Sequence, residues 1–318
     1  MSALDSFRTG VKRVAKFVSK VVNKLADGVT DLIESLGHLA GDGLTALGTR
    51  IPHVGVAFRW LGAVTVGLFD LLAAVVKGGG AVGGGFAGGT VRLLGSLFTL
   101  DWRGMLWGLG DMAAGIVGGV IAVGGKLLAL IQSIITIGWP RPLTDPEKDV
   151  IHRVFGESLA TYNVRIVDGF AGLFSLNPRP FVLGNMIYMK DYTVATQPEA
   201  LAHECTHIWQ NQHVGACYTA EALASQFWGV GYEWEKEADA TPDWVDFGRE
   251  AQGQTVETMY SSGGSISGTS GNGAIFSEPD PALRTFTAPS GTNRVTLAND
   301  AIATIRSYTP WRLTAIFS

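Results

Sequence analysis

The feature that most constrains folding is a long run, residues 36–139, that is apolar, rich in glycine and poor in charge. Two segments in it, 60–76 and 112–130, are long enough to span a bilayer if one charged residue each is tolerated, Asp70 and Lys126. Glycines four residues apart would let neighbouring helices approach closely. This pattern predicts an all-α region that either inserts in or lies on a membrane, or packs as small-residue helices in an oligomer or against another protein.

The residues before this run, 4–25, predict a basic amphipathic helix. Apolar residues recur there at three- and four-residue steps, while one face carries Arg8, Lys12, Lys16, Lys20 and Lys24. Such a helix can lie in a membrane surface, or it can pack on a core with its basic face in solvent. Because no uninterrupted apolar stretch follows the basic residues, we expect a membrane-associated protein, or one exported by a route without a classical signal peptide.

The composition changes at Pro140, where the sequence Trp139-Pro140-Arg141-Pro142 predicts a domain boundary. Residues 1–140 hold 12 Lys/Arg, 8 Asp/Glu and 27 of the 42 glycines, whereas residues 141–318 hold 12 Lys/Arg and 20 Asp/Glu. The two parts therefore carry net charges of +4 and −8. This asymmetry predicts a basic half that faces a membrane or partner, joined to an acidic globular half. Nucleic acid is not an expected partner, since no basic patch with interleaved aromatics occurs.

The acidic half divides further into a predicted α+β domain, residues 141–253, and a C-terminal region, residues 254–318. Signals of the α+β domain are a capping box at Thr144, a hairpin over 181–189 that bends at Gly184-Asn185, and helices that begin at Pro198, Ala220 and Glu233. The C-terminal region is expected to be a Ser/Gly/Thr-rich linker and a tail with short β-like runs, such as 294–297 and 302–305.

The motif that carries chemistry is HExxH, formed by His203, Glu204 and His207 in the helix that begins at Pro198. Four residues are just over one helical turn, so both imidazoles project from one face and can hold a single Zn²⁺. Glu204 then lies beside the open side of the metal. The motif predicts a catalytic zinc site.

A catalytic zinc needs a third protein ligand. Downstream, Glu235 and Asp239 belong to an ExxAD motif and share one helix face. We expect Glu235 to complete the ligand set and Asp239 to accept a hydrogen bond from a ligand histidine. Glu221, Glu233 and Glu237 are alternatives, and Glu235 is preferred because only it has an aspartate four residues later.

With these two motifs the sequence resembles the gluzincin-type zinc metallopeptidases, in particular the membrane prenyl-protein protease and heat-shock membrane peptidase group. It is also similar to bacterial zincin-like domains that have a glutamine three residues after the second histidine, here Gln210, and a preceding strand of the GNxIY type. The matching strand residues are Gly184, Asn185, Ile187 and Tyr188. The resemblance covers about residues 141–250. It implies an edge strand above the motif helix and an association with secreted toxins or injection systems.

The activity implied is metal-assisted hydrolysis of peptide bonds, with Zn²⁺ as cofactor and Glu204 as general base for the attacking water. The strand from Asn185 to Met189 is expected to pair an extended peptide or protein substrate by backbone hydrogen bonds. A further donor should stabilise the oxyanion, and the candidates are His213, Tyr218 and Tyr232.

Three functions stay open from the sequence. The first is a zinc metalloendopeptidase with a membrane-associating N-terminal region, acting in its own cell or as a delivered bacterial effector. The second is a structural or assembly protein with a zincin-like scaffold, whose apolar helices form an oligomer; the intact general base argues against it. The third treats residues 1–140 as a pore-forming element that works with the peptidase. Partners of residues 1–140 are then a membrane, a protein assembly or further copies of the chain.

Overall fold

The computed structural model describes residues 3–50, 55–135, 139–176, 179–214, 218, 221–222, 231–241 and 243–308. Two compact units are distinguished, the first built on Met1–Ile135 and the second on Thr136–His213 and Glu221–Pro310. The division between Ile135 and Thr136 lies close to the boundary predicted at Pro140.

The first unit contains three long helices in its described residues. They are α1 (Ala3–Arg50), α2 (Gly55–Phe98) and α3 (Trp102–Ile134). Helix α2 packs against both others. By length and composition α2 and α3 could each cross a membrane, and their most apolar windows are 50% and 33% buried within the unit. Core helices of soluble proteins have the same properties, so this feature alone is weak evidence for a membrane.

Glycines allow α2 to approach its neighbours closely. A Cβ atom at Gly85 would lie 2.7 Å from the carbonyl oxygen of Asp111, and one at Gly89 would lie 2.5 Å from that of Gly108. Neither distance can accommodate a side chain, so any larger residue would force α2 and α3 apart. The glycine content of this unit therefore has a packing cause along this interface.

Ionisable side chains are buried among these apolar helices. Lys126 of α3 donates to Asp70 of α2 at 2.6 Å, and His38 Nε2 of α1 lies 3.1 Å from the other oxygen of Asp70. Lys77 of α2 pairs with Asp27 of α1 at 3.2 Å. Taking charges out of water is costly unless they are paired. These pairs form in one relative position of the three helices, so they select that position among otherwise similar apolar faces.

The second unit combines a small sheet with helices. Its described helices are α4 (Asp145–Phe155), α5 (Pro198–Val214), α6 (Trp234–Ala240), α7 (Arg249–Ser262), α8 (Ala274–Ser277) and α9 (Val295–Ser307). A mixed sheet has the order β1-β2-β4-β3, with β1 (Arg141–Pro142), β2 (Arg165–Asp168), β3 (Phe181–Leu183) and β4 (Met186–Lys190). Strands β5 (Gly264–Ser265) and β6 (Arg284–Thr285) pair separately. An α+β unit preceded by a helical region is therefore observed.

Two local predictions in this unit are confirmed. Helix α4 begins directly after Thr144, whose backbone N–H donates to the Glu147 carboxylate at 2.7 Å, as in a capping box. It ends at Phe155, because Gly156 leaves the helical conformation with a φ of 57°. The hairpin also forms, with β3 and β4 antiparallel and Gly184 at φ 65° in the turn. The helix predicted from Ala220 to Phe227 lies mostly outside the described residues.

Among the described residues, the expectation of a linker and β-like tail after residue 253 is met only by the short strands β5 and β6, and the two runs named as β-like are wrong. Helix α7 continues to Ser262, and the run 302–305 lies inside α9. Leu297, Ala298, Ala301, Ile302 and Ile305 are buried in the core that α5 and the sheet also form. Their spacing is that of one helix face, and burial of this face outweighs the strand preference of the isoleucines.

Candidate metal centre

Helix α5 positions the HExxH residues by burying its opposite side. Leu201, Cys205 and Ile208 are fully buried in the core, which fixes the rotation of the helix. His203, Glu204 and His207 are each 6% exposed. Cys205 is thus a core residue.

The two histidines meet a carboxylate from α7. Nε2 of His203 and Nε2 of His207 lie 3.7 and 3.6 Å from Oε2 of Glu250, and the three potential ligand atoms are within 4.8 Å of one another. Two atoms that each lie about 2.1 Å from a tetrahedral zinc are about 3.4 Å apart. The spacing and the donor types therefore fit a metal ion, and this cluster could bind one.

The other ring nitrogen of each histidine lies beside an oxygen atom. Nδ1 of His203 lies 2.9 Å from the Glu257 carboxylate, and Nδ1 of His207 lies 2.8 Å from Oε1 of Gln210. Gln210 donates through Nε2 to Gln252 at 2.8 Å, so its oxygen is left to accept. Nδ1–H is then the donor in His207, so in the neutral ring Nε2 is the nitrogen that carries the lone pair. In that neutral form Nε2 is available as a ligand to a metal ion held together with Glu250.

Helix α7 carries three of these features on one face. Glu250, Gly253 and Glu257 are three and four residues apart, and a Cβ atom at Gly253 would lie 3.0 Å from Cε1 and Nε2 of His203. The absence of a side chain lets the helix backbone approach the imidazole closely. Gly253 is therefore part of the geometry of the site.

The opposite charges of the histidines and the carboxylates stabilise each other in the cluster. Burial alone would lower the pKa of His203, but Glu250 and Glu257 outweigh it and raise that pKa to about 10. The pKa of His207 is also raised, since Glu250 outweighs its burial. Burial acts to raise the pKa of Glu250, yet the two histidines hold it well below its usual value. Glu250 is thus strongly favoured as the carboxylate anion, the form that binds a cation.

The pKa of Glu204, which lies beside the cluster, is raised. Burial is the main cause, Glu250 and Glu257 add to it, and His203 and His207 oppose it. Its Oε2 atom is buried and has no hydrogen-bonding partner among the described residues. A buried oxygen without a partner costs about 1–3 kcal/mol, and a catalytic role is one of the reasons for retaining it. Glu204 has the environment of a proton acceptor.

The predicted third ligand, Glu235, is replaced by Glu250. Glu235 lies on α6 and is half-buried, outside the cluster. Asp239, its predicted companion, is 70% exposed and pairs with Arg294 rather than with a ligand histidine. The ExxAD pattern is thus a local coincidence on a short helix.

The other acids considered as ligands also have different partners. Glu237 accepts a hydrogen bond from the backbone of Gly248, and Glu233 pairs with Lys236. Glu221 pairs with Arg249 at 2.6 Å. The sequence did not point to Glu250 because it belongs to neither motif, although the spacing of Glu250, Gly253 and Glu257 on one helix face is a readable signal.

The strand expected to bind substrate is not at the edge of the sheet. Strand β4 pairs with β2 on one side and with β3 on the other, so the backbone groups on both of its edges already form hydrogen bonds within the sheet. Ile187 and Tyr188 are buried. The Asn185 side chain accepts hydrogen bonds from Asn211 and Gln212 at 3.3 and 3.2 Å, which ties the hairpin to α5. The prediction was wrong because the hairpin partner, β3, occupies the edge.

Of the three candidate oxyanion donors, Tyr232 lies at the cluster. Its ring centroid is 6.0 Å from that of His203, and its pKa is raised to about 12 by burial and by Glu250. His213 instead lies 2.7 Å from the Ser158 carbonyl oxygen through Nε2. Tyr218 is buried, in the segment Val214–Ala220 that groups with the first unit.

Comparison of the chain with protein-family models, with curated proteins and with solved structures found no match in any of the three. The resemblance to gluzincin-type metallopeptidases therefore stays a prediction from the motifs. The case for a metal centre depends on the cluster geometry.

Replacing Gly253 by valine is expected to weaken zinc binding by about 10–100-fold, the usual effect of disturbing the support of a metal ligand. The added side chain would displace the imidazole of His203, which a Cβ atom would already touch at 3.0 Å. Competition with a chromophoric chelator measures the affinity. Gln254→Val, one residue further along the same helix, is the matched control, and an equal loss in both variants would contradict the steric explanation.

Proposed function

We propose that this protein is a zinc-dependent metallopeptidase in which His203, His207 and Glu250 hold the metal and Glu204 is the general base. The observation that carries the proposal is the meeting of both HExxH histidines with one buried carboxylate, while Glu257 and Gln210 lie beside their other ring nitrogens. Two imidazoles and a carboxylate are typical of catalytic zinc, which keeps a fourth position for water or substrate.

The residues of the site have separate roles in peptide hydrolysis. When bound, zinc lowers the pKa of a water molecule and polarises a carbonyl group. Glu204 accepts the proton of the attacking water on its buried carboxylate and passes it to the leaving amine. Tyr232, whose ring centroid is 6.0 Å from that of His203, would donate a hydrogen bond to the oxyanion, and its raised pKa keeps the phenol protonated at neutral pH.

Metal removal tests this proposal. Protein purified with zinc present is expected to contain about one zinc per chain and to cleave a quenched fluorescent peptide library. Incubation with 1,10-phenanthroline should abolish cleavage, and added zinc should restore it. The non-chelating isomer 1,7-phenanthroline is the control. Protein that binds no zinc when zinc is supplied would refute the proposal.

We further propose that the first unit associates with anionic membranes. Its helix α1 exposes apolar side chains along one face, namely Phe7, Val14, Phe17, Val21 and Leu25. Its lysines are exposed as well, namely Lys12, Lys16, Lys20 and Lys24. Soluble monomers rarely expose apolar surface of this extent, and anionic lipids attract basic residues beside it.

Vesicle flotation of the full chain tests the membrane proposal. We expect the protein to float with vesicles that contain phosphatidylserine and to float less with pure phosphatidylcholine vesicles. Changing Lys12, Lys16, Lys20 and Lys24 to glutamate should reduce flotation, whereas Lys148→Glu and Lys236→Glu in the second unit should not. A chain that forms a defined oligomer and ignores vesicles would support the assembly function instead.

A further inference from the structure

Two cationic side chains lie beside the candidate site and have no part in the chemistry proposed above. The guanidinium carbon of Arg179 is 4.3 Å from the centroid of the Tyr232 ring, which in turn is 6.0 Å from the His203 ring. Lys190 donates to the backbone oxygen of Arg179. Burial lowers the pKa of Lys190, and the charge of Glu204 opposes this shift. The ammonium group of Lys190 therefore interacts electrostatically with the Glu204 carboxylate.

The hairpin explains why these two cations are close together. Arg179 precedes β3 by two residues, and Lys190 is the last residue of β4. The strands are antiparallel, with Phe181 opposite Tyr188, so the start of β3 lies beside the end of β4. Lys190 also lies over the Phe181 ring, 5.5 Å from its centroid. Both cations are therefore at the same end of the edge hairpin, on the side of Tyr232 and the metal cluster.

The chemistry of Arg179 suits an anionic group of a substrate. Its guanidinium carbon lies 4.3 Å from the centroid of the Tyr232 ring, and the group carries five N–H donors in a planar fork. Arg179 is exposed, so a ligand can reach it. A guanidinium binds a carboxylate through two parallel N–H bonds, which gives orientation as well as affinity. Without cations at the site, the net charge of −8 on residues 141–318 would repel acidic peptides.

We propose that Arg179, with Lys190 beside it, binds a carboxylate of the substrate, so that the site selects peptides with an acidic group next to the scissile bond. This inference rests on the proposed peptidase function. The carboxylate belongs either to an Asp or Glu side chain or to the C-terminus of the peptide, and the two sources share the same chemistry.

Matched peptides test the proposal. One pair differs only by Glu against Gln beside the cleaved bond, and a second pair differs only by a free against an amidated C-terminus. We expect the wild-type protein to prefer the acidic member of one pair by about 10-fold or more in kcat/KM, as charge-assisted hydrogen bonds allow. The pair that shows the preference identifies the source of the carboxylate.

Variants separate recognition from a structural effect. Arg179→Gln should reduce the ratio between acidic and neutral peptides to about one, and Arg179→Lys should retain part of it. Arg153→Gln, an exposed arginine that contacts the backbone of Asn272, is the control and should retain the full ratio. Equal loss for both members of a pair in Arg179→Gln would overturn the proposal.

Binding provides a readout without hydrolysis. The zinc-loaded Glu204→Gln chain should bind the acidic peptide more tightly by calorimetry, and the added Arg179→Gln change should remove the difference. Peptides cleaved without regard to charge would refute acid recognition while leaving the peptidase function intact. A chain that binds acidic peptides selectively but cleaves none would support acid recognition and refute the peptidase.

Discussion

Glu250→Ala is expected to abolish zinc binding and hydrolysis, whereas Glu235→Ala should leave both unchanged. Glu250 lies 3.7 and 3.6 Å from the Nε2 atoms of His203 and His207, so its loss removes one of three ligands and the negative charge of the set. Changing a residue that only hydrogen-bonds to a metal ligand lowers metal affinity by about 10–100-fold. Loss of the ligand itself should therefore lower zinc affinity by more than about 100-fold. Native mass spectrometry and chelator competition measure it.

The pair of variants separates the ligand seen in the structure from the one that the sequence favoured. Glu235 is half-buried on α6 and outside the cluster, so its truncation removes no ligand. Thermal unfolding of both metal-free variants checks that the fold persists. Zinc loss in Glu235→Ala with zinc retained in Glu250→Ala would show that the ExxAD motif supplies the ligand after all.

Glu204→Gln is expected to retain zinc and to lower kcat by about 10²–10⁴-fold, the range of general acid–base catalysis. The amide keeps the size of the carboxylate but cannot accept the proton of the attacking water. Because Glu204 is outside the ligand cluster, the metal should stay bound. Single-turnover cleavage of the best peptide measures the rate, with zinc content determined on the same sample.

The variant Glu257→Gln provides a comparison with Glu204→Gln. Glu257 lies 2.9 Å from Nδ1 of His203 and acts through the orientation of this ring, so its change should weaken zinc affinity by about 10–100-fold. With zinc in excess, cleavage should largely return in Glu257→Gln and stay low in Glu204→Gln. Wild-type cleavage rates in Glu204→Gln would exclude it as the general base.

Features with a local cause could be predicted from the sequence. Helix α4 begins where the capping box predicts, because Thr144 and Glu147 are in one turn. The hairpin bend follows from the tolerance of Gly184 for positive φ. His203 and His207 share a face because a helix repeats every 3.6 residues. Each of these depends on residues fewer than five positions apart.

Features that depend on distant residues could not be predicted in this way. Asp70 and Lys126 looked like interruptions of spanning segments, and they are buried partners across two helices. The strand with Asn185 and Tyr188 looked like a substrate edge, and β3 covers it. In both cases the environment of a residue comes from an element elsewhere in the chain, which periodicity does not report.

By itself the sequence determined the two-part organisation, the long apolar helices and the helix that presents His203, Glu204 and His207. Only the tertiary structure decided that Glu250 joins them, that Glu257 and Gln210 hold their rings, and that Tyr232 and Arg179 lie nearby. The physical reason is that a metal site requires atoms within a few ångströms of one another, and for residues far apart in the chain that proximity is set by packing against a common core rather than by spacing.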